Sequence, residues 1–189
     1  MDITETYRPT DRADWRRWLR EYHATKTEIW VVYRDRGEDI PLDYLDIVEE
    51  ALCFGWIDGI GKRFSDTEKA QRVTPRRRRS HWTELNKERV RRLERLGQMT
   101  DAGRKILPDL ETPFIIPDDI RHAIDADPEA RRHFAELPDL YVRVRIGYIE
   151  EMRKQAEEFD RRLRNFLKQT RAGRQFGNWN DGGRLSDPD

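Results

Sequence analysis

A chain of 189 residues has room for one ordinary domain and a compact second unit, and a hydrophobic share of 36% with mean hydropathy of −1.00 leaves only a small core. Six Trp, seven Phe and six Tyr supply large apolar side chains and exclude wholesale disorder. The 37 Lys and Arg are matched by 37 Asp and Glu, which excludes a uniformly basic polyanion binder.

No stretch approaches the roughly 18 apolar residues that cross a bilayer, so no membrane insertion is expected. Met1-Asp2-Ile3-Thr4-Glu5 has neither a basic nor an apolar leader segment, and the single cysteine, Cys53, has no internal partner. A cytoplasmic location is the expectation. The charge is neutral only in sum: Asp2 to Ile60 carries 14 acids and 8 bases, Arg72 to Lys105 carries 12 bases and 4 acids, and Asp109 to Asp139 carries 9 acids and 3 bases. Either the segments neutralise one another in the fold, or the basic centre faces a polyanion.

The first predicted element is a helix over Asp11 to His23, with Trp15, Trp18, Leu19 and Tyr22 at i, i+3, i+4 and i+7. Glu28 to Arg34 is β-branched and aromatic and reads as a strand buried on both faces, followed by a turn at Arg36-Gly37-Glu38-Asp39. Asp43 is placed to cap a helix with Leu45, Val48 and Leu52 as its stripe and Tyr44, Ile47 and Ala51 beside it, ended by Gly55. Trp56 to Phe64 and Ala70 to Thr74 read as a hairpin around a turn at Ser65 to Glu68.

After Pro75 and the Arg76-Arg77-Arg78-Arg79 loop, Ser80 is placed to cap a helix from His81 to Leu96 that buries Trp82, Leu85, Val90, Leu93 and Leu96. A short helix over Thr100 to Leu107 and an extended linker to Pro117 follow. Beyond them lie helices over Asp118 to Ala126 and from Asp127, which caps with Pro128 at the first position. From Tyr141 through Tyr148, Met152 and Phe159 to Leu167, apolar residues recur at steps of three and four and predict one long, one-sided helix that packs either within its own chain or against a second copy in a homo-oligomer. The Gly- and Asn-rich stretch from Gly173 predicts a mobile tail. The fold class is therefore α+β: a small, mainly antiparallel sheet with flanking helices in residues 1–110, a helical unit in 111–175, and a flexible tail over 176–189.

Familiar catalytic motifs fail. Gly59-Ile60-Gly61-Lys62 lacks the upstream glycine and the following Ser or Thr of a phosphate loop, since Trp56 and Arg63 stand there. His23, His81, His122 and His133 lack metal-ligand spacing, and Cys53 sits between Leu52 and Phe54 as a buried thiol would. No cofactor or metal is implied.

The run Leu52-Cys53-Phe54-Gly55-Trp56-Ile57-Asp58-Gly59, then Lys62-Arg63, Gln71-Arg72-Val73-Thr74-Pro75-Arg76-Arg77 and Ser80-His81-Trp82-Thr83-Glu84-Leu85-Asn86 through Gly97-Gln98-Met99-Thr100, resembles the YdeI/OmpD-associated family, also called bacteriocin-protection proteins. The likeness is read over Trp15 to Leu107 and is looser beyond. Met152-Arg153-Lys154 and Arg161-Arg162 are partial counterparts of the family's C-terminal basic pairs, but Glu157-Glu158-Phe159 stands where a Thr-Arg pair belongs, so no site is carried there. The resemblance implies resistance to antimicrobial peptides or stress and no established reaction.

The matched residues define a candidate ligand-binding set: Trp56, Asp58, Lys62, Arg72, Thr74, Arg76, Arg77, Ser80, Trp82 and Asn86. Asp58 and the arginines around a cleft walled by Trp56 and Trp82 would take a small anionic ligand; equally, Asp58 pairs with an arginine to pin the hairpin, or serves as a general base. A non-enzymatic binding or protection factor with an anionic ligand or protein partner is the leading expectation. Nucleic-acid binding through the basic segment 72–105 is the less favoured alternative, and an enzyme using Asp58 the last.

Overall fold

The structure is a computed structural model and describes residues 2–35 and 40–186. The turn expected at Arg36 to Asp39 lies outside the described residues. The chain divides into two compact units, one of residues 1–81 with 89–108, the other of residues 82–88 with 109–189.

The first unit opens with β1 (Thr6–Tyr7) and α1 (Arg12–Tyr22). Asp11 caps α1 by accepting a hydrogen bond from the Asp14 amide at 2.7 Å. Trp15, Trp18 and Leu19 are buried, with Trp15 stacked on Trp18 at 5.2 Å and Trp56 edge-on to Trp18 at 5.9 Å. This is the small aromatic core that the composition demands.

Strand β2 (Ile29–Arg34) is buried except at its last residue. Helix α2 (Tyr44–Cys53) starts in a capping box, Asp43 and Asp46 each accepting the other's amide. Its second half is buried all round, Glu49 and Glu50 included, whereas the apolar stripe predicts burial of one face only. The hairpin is β3 (Trp56–Arg63) and β4 (Glu68–Pro75), so its second strand begins two residues earlier than expected.

The sheet order is β1-β2-β4-β3. β4 runs antiparallel to β2 and β3, and β1 runs parallel to β2. The sheet is therefore mainly antiparallel but mixed, through a two-residue β1 that carries too little pattern to be read from the sequence. Between Asp58 and Gly61 the β3 register shifts, a bulge whose Gly59 carbonyl accepts from Gln71 Nε2 at 2.8 Å. A Cβ at Gly61 would come 2.9 Å from Gln71 Oε1, so a side chain there would displace the Gln71 amide.

Helix α3 is Glu84–Arg95, shorter than the expected span from His81. Ser80 does not cap it: Ser80 Oγ donates to the Arg77 carbonyl at 2.8 Å, and Thr83 Oγ1 accepts from the Asn86 amide at 3.2 Å. Leu96, expected to be buried, is 38% exposed. The helix expected over Thr100 to Leu107 is a single turn, α4 (Asp101–Arg104).

In the second unit, α5 (Asp118–Asp125) and α6 (Pro128–Phe134) follow the linker, with Asp127 accepting from the amides of Glu129 and Ala130. The long helix expected from Tyr141 is instead two, α7 (Asp139–Glu150) and α8 (Ala156–Arg171). At the corner, Gln155 donates to the Met152 carbonyl at 2.8 Å, and Arg153 pairs with Asp119 while lying 4.2 Å from the Phe159 ring. The break lets Tyr141, Ile146, Ile149, Phe159 and Phe166 share one core with Ile120 and Ile124. Phe176 and Trp179, from the stretch expected as a mobile tail, pack against this core.

Candidate functional site

The hairpin delivers Asp58 to the sheet face that α2 covers. Asp58 pairs across the ladder with Val73 and Trp56 with Pro75, so Trp56, Asp58 and Val73 share that face. From the first turn of α2, Tyr44 donates its hydroxyl proton to Asp58 Oδ2 at 2.6 Å. Burial pushes the Tyr44 phenol well above its ordinary range, and the Asp58 charge adds to this while Arg89 opposes it. Arg76 follows β4, is buried, and donates to the His81 carbonyl. Burial pushes its guanidinium down to about 10, an effect that the charge of Asp58 opposes. Tyr44, Asp58, Arg76 and Arg89 thus form one electrostatically linked cluster in the first unit.

The other residues of the expected set do not gather there. Arg72 lies opposite Trp30 and alternates with Val73, so it stands on the sheet face away from Asp58, where it pairs with Glu28. Lys62 Nζ lies 5.8 Å from the Trp30 ring on that face. Thr74 is half-buried, next to Val73 on β4. Trp56 is core, its Nε1 donating to the His23 carbonyl at 3.1 Å. Arg77 is exposed, Ser80 holds the turn after it, and Trp82 and Asn86 are buried in the second unit.

Part of the basic segment is neutralised within each unit. In the first, Arg72 meets Glu28, Arg92 Nη1 meets Glu49 at 3.2 Å, and Arg104 meets Glu94 at 2.9 Å; in the second, Lys87 meets Glu84 at 2.6 Å. Arg77, Arg78 and Arg79 remain exposed. Burial pushes the Cys53 thiol up to about 12, which suppresses the nucleophilic thiolate. Among the described residues no group of three or more His, Cys, Asp or Glu is arranged to hold a metal ion, and no helix is long and apolar enough to cross a membrane.

The helix pattern places Tyr44 beside the apolar stripe and gives no role to its hydroxyl. The signal for the buried Glu49 and Glu50 was also present: two adjacent acids in an apolar helix, and two arginines, Arg12 and Arg16, four residues apart on another.

Two family models match the chain. A domain of unknown function, DUF8412, matches residues 7–106, just over half of the chain, so the chain belongs to that family. The model described as bacteriocin-protection, YdeI or OmpD-associated matches residues 113–173. The YdeI/OmpD-associated likeness is thus found over residues 113–173, in the second unit's helices, whereas residues 15–107, where the hairpin motifs lie, fall in the segment that DUF8412 matches. No curated protein and no solved structure matches.

Proposed function

We propose that this member of the DUF8412 family is a non-enzymatic binding protein that acts in protection against bacteriocins or related antimicrobial stress. The observation that carries the reading is the match of residues 113–173 to the bacteriocin-protection family. The Asp58 cluster agrees with it. Asp58 Oδ2 accepts a hydrogen bond from the Tyr44 hydroxyl at 2.6 Å, a contact that ties the hairpin to α2. Pinning α2 to the hairpin is the role this geometry supports.

The test is susceptibility. Removing the gene from its host is expected to lower the bacteriocin concentration that halts growth, and a plasmid copy to restore it. Unchanged susceptibility to a panel of such peptides would count against the proposal.

The three exposed arginines support a second reading, contact with a nucleic acid or another polyanion. Binding of a labelled oligonucleotide at low salt should then weaken with added salt and with replacement of Arg77, Arg78 and Arg79 by Ser. Absence of binding at low salt removes this reading.

A further inference from the structure

The second unit holds a cavity of about 300 Å³, at the lower end of the range for small-molecule sites. Helix α7 lines it with Arg145, Tyr148 and Ile149, residues i, i+3 and i+4 of one face. Helix α8 contributes Arg161, Arg162, Asn165 and Phe166, and Phe176 comes from the segment beyond. Tyr148, Arg161 and Asn165 are solvent-exposed, which gives an entrance, while Phe166 is buried.

Arg145 is the unusual member. Only 9% of it is exposed, its Nε–H has no hydrogen-bond partner, and its single hydrogen bond, from Nη1 to the Phe176 carbonyl, is 3.5 Å long. Its guanidinium carbon lies 5.1 Å from the Tyr148 ring and 5.0 Å from the Phe176 ring, which places the charge among the cavity-lining side chains. Among the described residues no carboxylate pairs with it. Burial pushes its pKa down, and the nearby Arg162 pushes it the same way.

The remaining charge does not cancel this one. Arg161 and Arg162 share the Glu158 carboxylate, each at 2.7 Å, and Glu151 lies 4.0 Å from Arg162. A buried guanidinium that meets only aromatic faces and one distant carbonyl has unspent donors in the geometry that suits a carboxylate or phosphate. The backbone is shaped around it: a Cβ at Gly177, where φ is +72°, would overlap Arg145 Nη1 and stand 3.2 Å from its Cζ.

We propose that this cavity binds a small organic oxyanion with an apolar body, the oxyanion on Arg145 and Asn165 and the apolar part against Ile149, Phe166 and Phe176. The site uses none of the residues of the Asp58 cluster and does not depend on the protective role proposed above.

The experiment titrates the full chain with phenyl phosphate, benzoate and benzyl alcohol, read by calorimetry and by the arginine Nε–H signals in a nitrogen–proton correlation spectrum. At least one anion should bind saturably and move the Arg145 Nε–H resonance, the neutral alcohol should not, and the anion that binds identifies phosphate or carboxylate as the group read. Asn165→Asp, an exposed change that adds negative charge, should weaken binding about tenfold or more. Arg145→Met should abolish it; if that variant fails to fold, Asn165→Asp decides. The proposal is overturned if neither anion saturates, if benzyl alcohol binds equally well, or if Asn165→Asp leaves the affinity unchanged.

Discussion

Between Tyr44 and Cys53 the first unit buries two glutamates and meets each with arginine: Glu50 takes Arg12 at 2.7 Å and Arg16 at 2.6 Å, and Glu49 takes Arg12 at 2.8 Å and Arg92 at 3.2 Å. In the second unit Arg145 is also buried and meets two aromatic rings and one distant carbonyl. Burial pushes the Arg12 guanidinium down and the two glutamates more than reverse it, so its pKa lies above the usual value; for Arg145 no carboxylate reverses the effect. In the first arrangement each buried carboxylate meets two guanidinium groups. The second leaves hydrogen-bonding capacity for something outside the chain.

The difference can be broken by mutation. The largest effect is expected from Glu50→Gln, which leaves Arg12 and Arg16 facing a neutral amide. Removing one partner of a buried pair costs about 3 kcal/mol here, the low end of the range because both arginines keep some contact with water, and urea unfolding would show it. A change below 0.5 kcal/mol, the scale of ordinary surface substitutions, would mean that the network carries no stability.

Tyr44→Phe is expected to cost about 1.5 kcal/mol in the same measurement, since it deletes one hydrogen bond to a charged group and leaves Asp58 to the influence of Arg76. A variant as stable as the parent would detach Asp58 from the task of pinning α2. The smallest effect is expected from Arg145→Met. Losing two cation–π contacts is offset by no longer burying an unpaired charge, so stability without added anion should stay within about 1 kcal/mol of the parent. Adding the bound oxyanion should then raise the melting temperature of the parent and not that of the variant.

Local signals made much of the fold legible. Asp11, Asp43 and the Asp127-Pro128 pair mark helix starts because a cap is a contact between residues two or three apart, and the hairpin follows from β-branched runs flanking a polar turn. The candidate site was legible in part. Asp58 and Arg76 were singled out and do influence each other, whereas Arg72 was grouped with them although strand alternation, once the register is known, sends it to the other face.

By itself the sequence determined the α+β class, the order of the main elements, the aromatic core of the first unit and the balance of charge. Only the tertiary structure decided which charges are spent. The apolar rhythm from Tyr141 to Leu167 runs unbroken through residues 151–155, so nothing local announces that the chain turns there and folds α8 back onto the core shared with α7. Whether a buried arginine finds a carboxylate is likewise a matter of partners distant in sequence: Arg12 finds Glu49 and Glu50 from another helix, and Arg145 finds Phe176. Periodicity reports which face is apolar, and the energy of a buried charge depends on what the fold places beside it.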